Sequence, residues 1–343
     1  MTGNDGTDDD RLRALLHDAV SDVEPRDGLG EVRRRTRARR TPSRRWAPVL
    51  LGAGAVTATV VAATFVVNGL GDDPDGDRDP AAAQTSQAGP TTAAAGLYFV
   101  SDTATGPRLF REFQAIGIAA DPEQKVLLAL QRLTADSGPR DPDYRTSWPA
   151  DSFGSVRVKE DERIVVELGT AEALEGDPAA GRLGVQQAVY TAEAALGETL
   201  PVSFEWDGQP ARQVLGLTVG TVVDRDRSFD ITAPVNITDP AEQLAVEGDV
   251  LLANGTMASY VNEVAWSLRS EGGDAVLEGI AEQVDITGPD ARATLGSPGW
   301  ETREIDVSGL APGDYVFVAT VTDTGQTSDQ PVEFSDTRTI AVR

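Results

Sequence analysis

RLGVQQAVYTAEAAL, residues 182–196, carries Val185, Ala188, Val189, Ala192 and Leu196 at intervals of three and four, the spacing that gathers one apolar face on an α-helix. PVSFEW (201–206) follows as a strand and ends at Asp207-Gly208, a turn dipeptide. Upstream, SVRV (155–158) and RIVVEL (163–168) alternate as two strands joined by the charged turn KEDE (159–162). Before them Asp121 caps a helix with Pro122 in its first turn and Val126, Leu127, Leu130 and Leu133 facing inward. GLYFVS (96–101) is an apolar strand. The order β-α-β-β-α-β over 96–221 predicts helices packed on one sheet, so the fold class is α+β.

Downstream the period changes from helical to two. Segments around 243–255, 259–269, 274–280, 300–307, 313–323 and 334–342 alternate, and residues 228–343 carry no helical pattern. Turns at Asn254-Gly255 and Pro312-Gly313 separate them, and about seven short strands in a segment of this length predict an all-β sandwich. Tyr260, Val264, Trp266 and Leu268 are expected on one strand face, and Tyr315, Phe317, Ala319 and Val321 on another. Trp266 and Trp300 are expected in the core, anchoring it where many sandwiches use a disulfide.

At the other end, no charged side chain occurs between Arg45 and Asp72. About 20 apolar residues cross a hydrocarbon core about 30 Å thick, so 46–70 is expected to be a single transmembrane helix. Arg33, Arg34, Arg35, Arg37, Arg39, Arg40, Arg44 and Arg45 precede it, whereas Asp72, Asp73, Asp75, Asp77 and Asp79 follow. Positive charge is retained in the cytoplasm, which places 1–45 inside and the C-terminal domains outside. A cleaved signal peptide is the rival, with AAA at 81–83 as its processing site, but the long N-terminal region favours an uncleaved anchor. SRRWAPVLL also carries a faint twin-arginine pattern. Leu12, Leu15, Leu16, Ala19, Val20 and Val23 form one face of a short cytoplasmic helix over 9–23 that needs a partner or the inner leaflet. Gly54, Ala58 and Ala62 make a small-residue ridge that would let two membrane helices self-associate. Residues 71–95, rich in Pro, Gly, Ala and Asp, are expected to be a flexible stalk. Its aspartates fail as a calcium loop, because Arg78 and Gln84 stand where that loop needs Gly and Glu.

The composition excludes much chemistry. There is no cysteine, and the single histidine, His17, lies ahead of the span. Cys nucleophiles, Ser-His-Asp triads and Cys/His zinc sites are therefore absent from the outer domains. Residues 72–343 carry 46 acidic and 19 basic side chains, a surface that repels phosphate backbones and makes nucleic acid an unsuitable partner. Carboxylate pairs such as Glu160/Glu162 are explained by charged turns. No catalytic, cofactor-binding or metal-ligating set emerges, and the chain is expected not to be an enzyme. The sequons at Asn236 and Asn254 are read as accidental matches.

LYFVSD, EQKVLLALQRL, SWP before GSVRV, RLGVQQAVYTAEAAL and VSFEWDGQP together resemble the GerMN domain of sporulation and spore-germination proteins and actinobacterial surface lipoproteins. Gln187 to Thr191 and the Asp207-Gly208 turn carry the resemblance most strongly, and it implies that Glu167 ends its strand as a polar position. ITAP (231–234), VEGDV (246–250), VNEVAWSL (261–268), GW (299–300) and LAPGDYVFVATVTD (310–323) resemble the immunoglobulin-like domain that often follows GerMN, although DTGQTSD departs from that family's last loop. The resemblance implies a tethered, non-catalytic protein that binds an envelope polymer or envelope protein. A signalling regulator whose cytoplasmic helix docks a partner such as a sigma factor is the alternative. A carboxylate-based glycan hydrolase is the remote one.

Overall fold

The computed structural model describes residues 92–159, 162–270, 272–286, 297–325 and 330–343, all within one compact unit, Val61–Arg343. The expected cytoplasmic helix with His17, the arginine run, the span at 46–70 with its small-residue ridge, and stalk residues 71–91 lie outside the described residues. No helix among the described residues is long and apolar enough to cross a membrane.

The first domain opens with a hairpin where a single strand was expected. β1 (Thr92–Thr103) and β2 (Gly106–Gly117) pair antiparallel along their whole length, and Thr92–Ala95, read as stalk, are its first residues. The second strand escapes a pattern search because GPRLFREFQAIG is buried on both faces, so Arg108, Arg111, Glu112 and Gln114 interrupt the apolar phase while lying inside. α1 (Pro122–Leu133) follows, capped by Asp121 accepting from the Gln124 amide. Then come β3 (Phe153–Lys159), β4 (Arg163–Leu168), a 3-10 turn at Ala171–Leu174, α2 (Pro178–Leu196) and β5 (Val202–Trp206). The short strands β6 (Gln209–Pro210), β7 (Gln213–Val214) and β8 (Leu217–Thr218) complete the domain. One sheet runs β3-β4-β5-β6, with β4 and β5 parallel across the α2 crossover. The β1-β2 hairpin is a separate pair, so the helices serve two sheets rather than one.

α2 departs from its expected one-sided character. Val185, Ala188, Val189, Ala192 and Ala195 join the main core with Leu97, Phe99, Leu130, Phe153, Ile164 and Phe204. Tyr190 and Ala194 on another side join Tyr98, Val100, Leu109 and Ile231. Everything from Gly184 to Ala195 is buried. Gly181 and Gly184 permit this, because the β7-β8 turn presses its Leu215 against them: a Cβ on Gly184 would lie 2.5 Å from Leu215 Cδ1.

The second domain is all-β among its described residues. β9 (Val235–Asp239), β10 (Leu244–Val246), β11 (Val250–Leu251), β12 (Asn254–Met257), β13 (Ala265–Ser270) and β14 (Ala275–Ile280) are followed by β15 (Glu282–Val284), β16 (Gly299–Glu301), β17 (Ile305–Asp306), β18 (Gly313–Asp323) and β19 (Val332–Val342). A five-stranded sheet, β10-β19-β18-β13-β14, and a four-stranded sheet, β15-β16-β12-β9, share one core. Trp300, Phe317, Phe334, Ile237 and Leu268 are at its centre. Tyr315, Phe317, Ala319 and Val321 are buried together, as alternation requires. Tyr260 lies ahead of β13 rather than on it, and Trp266 is half-buried, stacked on Phe317 at 6.1 Å. Asn254-Gly255 is not a turn: it is a bulged start of β12. The glycine is there because a Cβ at 255 would stand 1.9 Å from the Asn236 carbonyl and 2.7 Å from the Trp300 ring.

The boundary read at 221–228 falls inside the first domain's packing. Val223 bridges to Val202, and Ile231 and Ala233 sit in first-domain clusters. The chain bonds to Leu109 of β2 through Ile231 and Ala233, at 2.8 and 2.9 Å, and then continues directly into β9. Asn236, buried, accepts from the Arg111 amide at 2.8 Å. One continuous backbone segment thus serves a strand of each domain, which leaves little slack for independent motion.

Candidate functional site

Strand β19 sends successive side chains to opposite faces, and its two faces carry the two features of interest. Inward, between Phe334 and Ile340, lie Asp336 and Arg338. They are the charged residues that a hydrophobic pattern leaves unexplained, and the first domain supplies their partners. The 139–145 loop brings Asp141, whose carboxylate accepts from Arg338 at 2.6 Å, and Tyr144, whose hydroxyl donates to Asp336 at 2.7 Å. Arg338 also donates to Asp336 at 3.0 Å and to the Ile237 carbonyl at 3.2 Å, and its guanidinium lies 5.2 Å from the centre of the Tyr144 ring. The loop is held from beneath by Glu112 of β2, which accepts from the amides of Arg140 and Asp141 at 3.1 Å. The side chains of Arg338 and Asp141 are each 2% exposed. Burial pushes the Asp141 carboxyl up to about 7, against the opposing pull of Arg338. For Arg338 burial acts to lower the pKa, but the surrounding Asp336, Tyr144 and Asp141 outweigh it and keep the cation firmly protonated.

Outward, β19 presents Glu333, Ser335, Thr337 and Thr339. These line a groove of about 520 Å³ with Val316, Val318 and Thr320 of β18 and Arg269 of β13. Cross-strand neighbours Val316/Thr339, Val318/Thr337 and Thr320/Ser335 make a ladder of aliphatic floor and hydroxyl wall. Thr337 donates to Asp143 of the first domain at 3.3 Å, so the loop that fills the inner cluster also holds a residue of the groove wall.

A second buried charge lies on α2. Glu193 is fully buried, its carboxylate 3.4 Å from the Arg225 guanidinium. Burial raises its carboxyl to about 7, with Arg225 and Arg227 opposing and Asp224 adding to the rise. The rest of this polar face fastens the 224–231 strap. Gln186 accepts from the Asp226 amide at 2.8 Å and donates to the Asp224 carbonyl at 3.0 Å, and the Tyr190 hydroxyl donates to the Asp226 carbonyl at 2.8 Å. Gln187 accepts from the Ser147 amide and Thr191 from the Tyr98 amide. The motif Gln187 to Thr191 is therefore structural, built to bind backbone of this same chain. A carboxylic acid whose folded-state pKa lies above its unfolded value stabilises fully at low pH, and that stabilisation is lost as pH rises from about 4 to about 7. Glu193→Gln should flatten this dependence and raise stability by about 1 kcal/mol at pH 8 relative to the wild type, measured by chemical denaturation at pH 5 and 8.

Glu167, next to last in β4, accepts from the Gly208 amide at 3.1 Å, pinning the Asp207-Gly208 turn. Glu162 is exposed, and Glu160 lies outside the described residues. Asn236 is an interdomain hydrogen-bond partner, not an open sequon. Among the described residues no three His, Cys, Asp or Glu side chains are grouped to hold a metal ion. The Asp141–Tyr144–Asp336–Arg338 cluster was missed in the sequence, where its only signal is two charged residues in the inward phase of β19.

The described residues are mostly β with two α-helices, and the first domain joins a long hairpin to a helix crossover between parallel β4 and β5. Residues 96–212 match the family described as "Germane: Sporulation and spore germination". Among solved structures, the first GerMN domain of the sporulation protein GerM from Bacillus subtilis is similar at 18% identity, over 39% of this chain and 98% of that one, with a TM-score of 0.32. The tandem GerMN domains of the same protein match at 14% identity over 64% of this chain and 63% of theirs, with a TM-score of 0.35. CopC from Methylosinus trichosporium OB3b matches at 17% identity over 32% of this chain and 92% of its own, with a TM-score of 0.21. No curated protein matches the chain.

Proposed function

We propose that the chain is a membrane-tethered, extracytoplasmic binding and assembly protein of the bacterial cell envelope, related to germination proteins and without catalysis of its own. The span at 46–70 anchors it, the arginine-rich side stays in the cytoplasm, and an immunoglobulin-like second domain extends from the GerMN domain. The observation that carries the reading is the groove on the five-stranded sheet. Its aliphatic floor and hydroxyl walls suit a polymer segment that offers both apolar and hydrogen-bonding edges, such as an envelope glycan or an extended peptide. The domains behind it are joined by shared backbone and buried charge, so the groove is presented on a stiff body and binding costs little ordering entropy.

The test is retention of the detergent-solubilised full-length protein on purified cell wall and on immobilised envelope extract. The wild type should be retained by one of them, and Thr320→Arg, which fills the groove, should lose retention about ten-fold. Retention by neither surface, or equal retention of the variant, overturns the reading. Protease added to intact cells should digest the domains beyond the stalk. Deleting residues 1–30 should leave retention unchanged, whereas a signalling protein would lose its function.

A further inference from the structure

We propose that the Asp141–Arg338–Asp336 cluster is a proton-linked latch: it closes the 139–145 loop onto β19 when Asp141 is protonated and releases the loop, with its hold on Thr337 of the groove wall, when Asp141 ionises. The first support is a count of charges. Two buried carboxylates, Asp141 and Asp336, face one guanidinium, that of Arg338, and an unbalanced negative charge away from water is costly.

The loop's own cations are exposed, Arg140 beside Asp141 and Arg145 paired with Asp102, and, Arg338 apart, the groups nearest the buried carboxyl are acids. On the loop itself Asp143 and Tyr144 flank Asp141; from β2 Glu112 binds the loop's amides; and Glu242, ahead of β10, accepts from the Thr339 amide at 2.8 Å and raises the Asp141 carboxyl further. Arg338 is the one cation in direct contact with the Asp141 carboxylate among the described side chains. Burial holds that carboxyl near 7 in the closed arrangement, while a loop released into water would return it towards 3.8. The closed form therefore binds the proton more tightly. Its advantage is complete below about pH 4, falls as pH rises to about 7, and is flat above that.

The second support is position. Asp336, Thr337 and Arg338 are consecutive on one strand, so the latch and the groove are opposite faces of the same three residues. Thr337 reaches Asp143, the loop residue whose own amide donates to Asp141 at 2.9 Å. Opening the loop breaks that bond to the groove wall. The consequence for ligand retention rests on the groove being the binding face; the latch itself does not.

The latch is read by amide hydrogen exchange on the full-length protein at about pH 5.5 and about pH 8.5, corrected for intrinsic exchange. The probes are the amides of Asp143 and Ile237, which donate to Asp141 and Asp336. Their protection should fall about ten-fold or more at the higher pH. Asp141→Asn should abolish the step, and Glu193→Gln, remote from the latch, should keep it. Carboxyl carbon-13 titration of the wild type should give Asp141 a midpoint near neutrality, a result that does not depend on any variant folding. No step in the wild type, an acidic Asp141 midpoint, or the same step in Asp141→Asn overturns the latch. Retention on cell wall should follow the same pH window; a latch that moves without changing retention removes the groove as the binding face and leaves the latch standing.

Discussion

Arg338→Ala should cost about 3–5 kcal/mol and uncouple the unfolding of the two domains. The side chain is almost wholly buried, and its removal strands the Asp141 and Asp336 carboxylates with no cation. It also frees the Ile237 carbonyl from one donor and empties the space over the Tyr144 ring. The tryptophans report each domain separately, Trp148 and Trp206 in the first and Trp266 and Trp300 in the second. Single-tryptophan variants should show coincident denaturation curves in the otherwise wild-type protein and separated ones with Arg338→Ala. Much of the loss comes from uncompensated charge rather than from a missing bond, so Arg338→Met combined with Asp141→Asn should recover most of it. Coincident curves in Arg338→Ala would place the coupling elsewhere, in the backbone shared by β2 and β9.

Trp300→Ala should destabilise the second domain by about 3–5 kcal/mol. Its indole is buried at the centre of the core, donates to the Thr256 carbonyl at 3.2 Å, and packs flat where Gly255 leaves no Cβ. Truncation leaves a cavity against β12 and an unpaired carbonyl. Gly255→Ala should be damaging for the converse reason, because the added carbon has nowhere to go. Trp266→Ala should cost distinctly less, since that ring is half-buried at the margin of the same core. Equal losses from Trp266→Ala and Trp300→Ala, measured by thermal or urea denaturation, would contradict this picture.

The two tryptophans show where the pattern in the sequence stops being informative. Alternation placed both on an inward face, and both are on one. Only the course of neighbouring strands decides that β12 closes over Trp300 while β14, an edge strand, leaves Trp266 partly open. The same limit applies to α2. Its apolar spacing was legible, but the burial of Gln186 and Glu193 depends on the 224–231 strap returning to meet them, and that of Gln187 and Thr191 on Ser147 and Tyr98, far off in the chain. β2 was invisible for a related reason: its polar side chains are satisfied by the second domain and by a loop, so nothing local marks it as buried.

The sequence by itself determined the switch from helical to two-residue periodicity near residue 228, the caps and turns at Asp121 and Asp207-Gly208, and the absence of cysteine and histidine chemistry from residues 72–343. Those are local or compositional properties, set by side-chain spacing and chemical type. Tertiary structure alone decided that Asp141 and Arg338, 197 residues apart, share one dry pocket, and that the domains share a backbone segment. Burial of a charge is a property of everything packed around it, and no window of the chain contains that information.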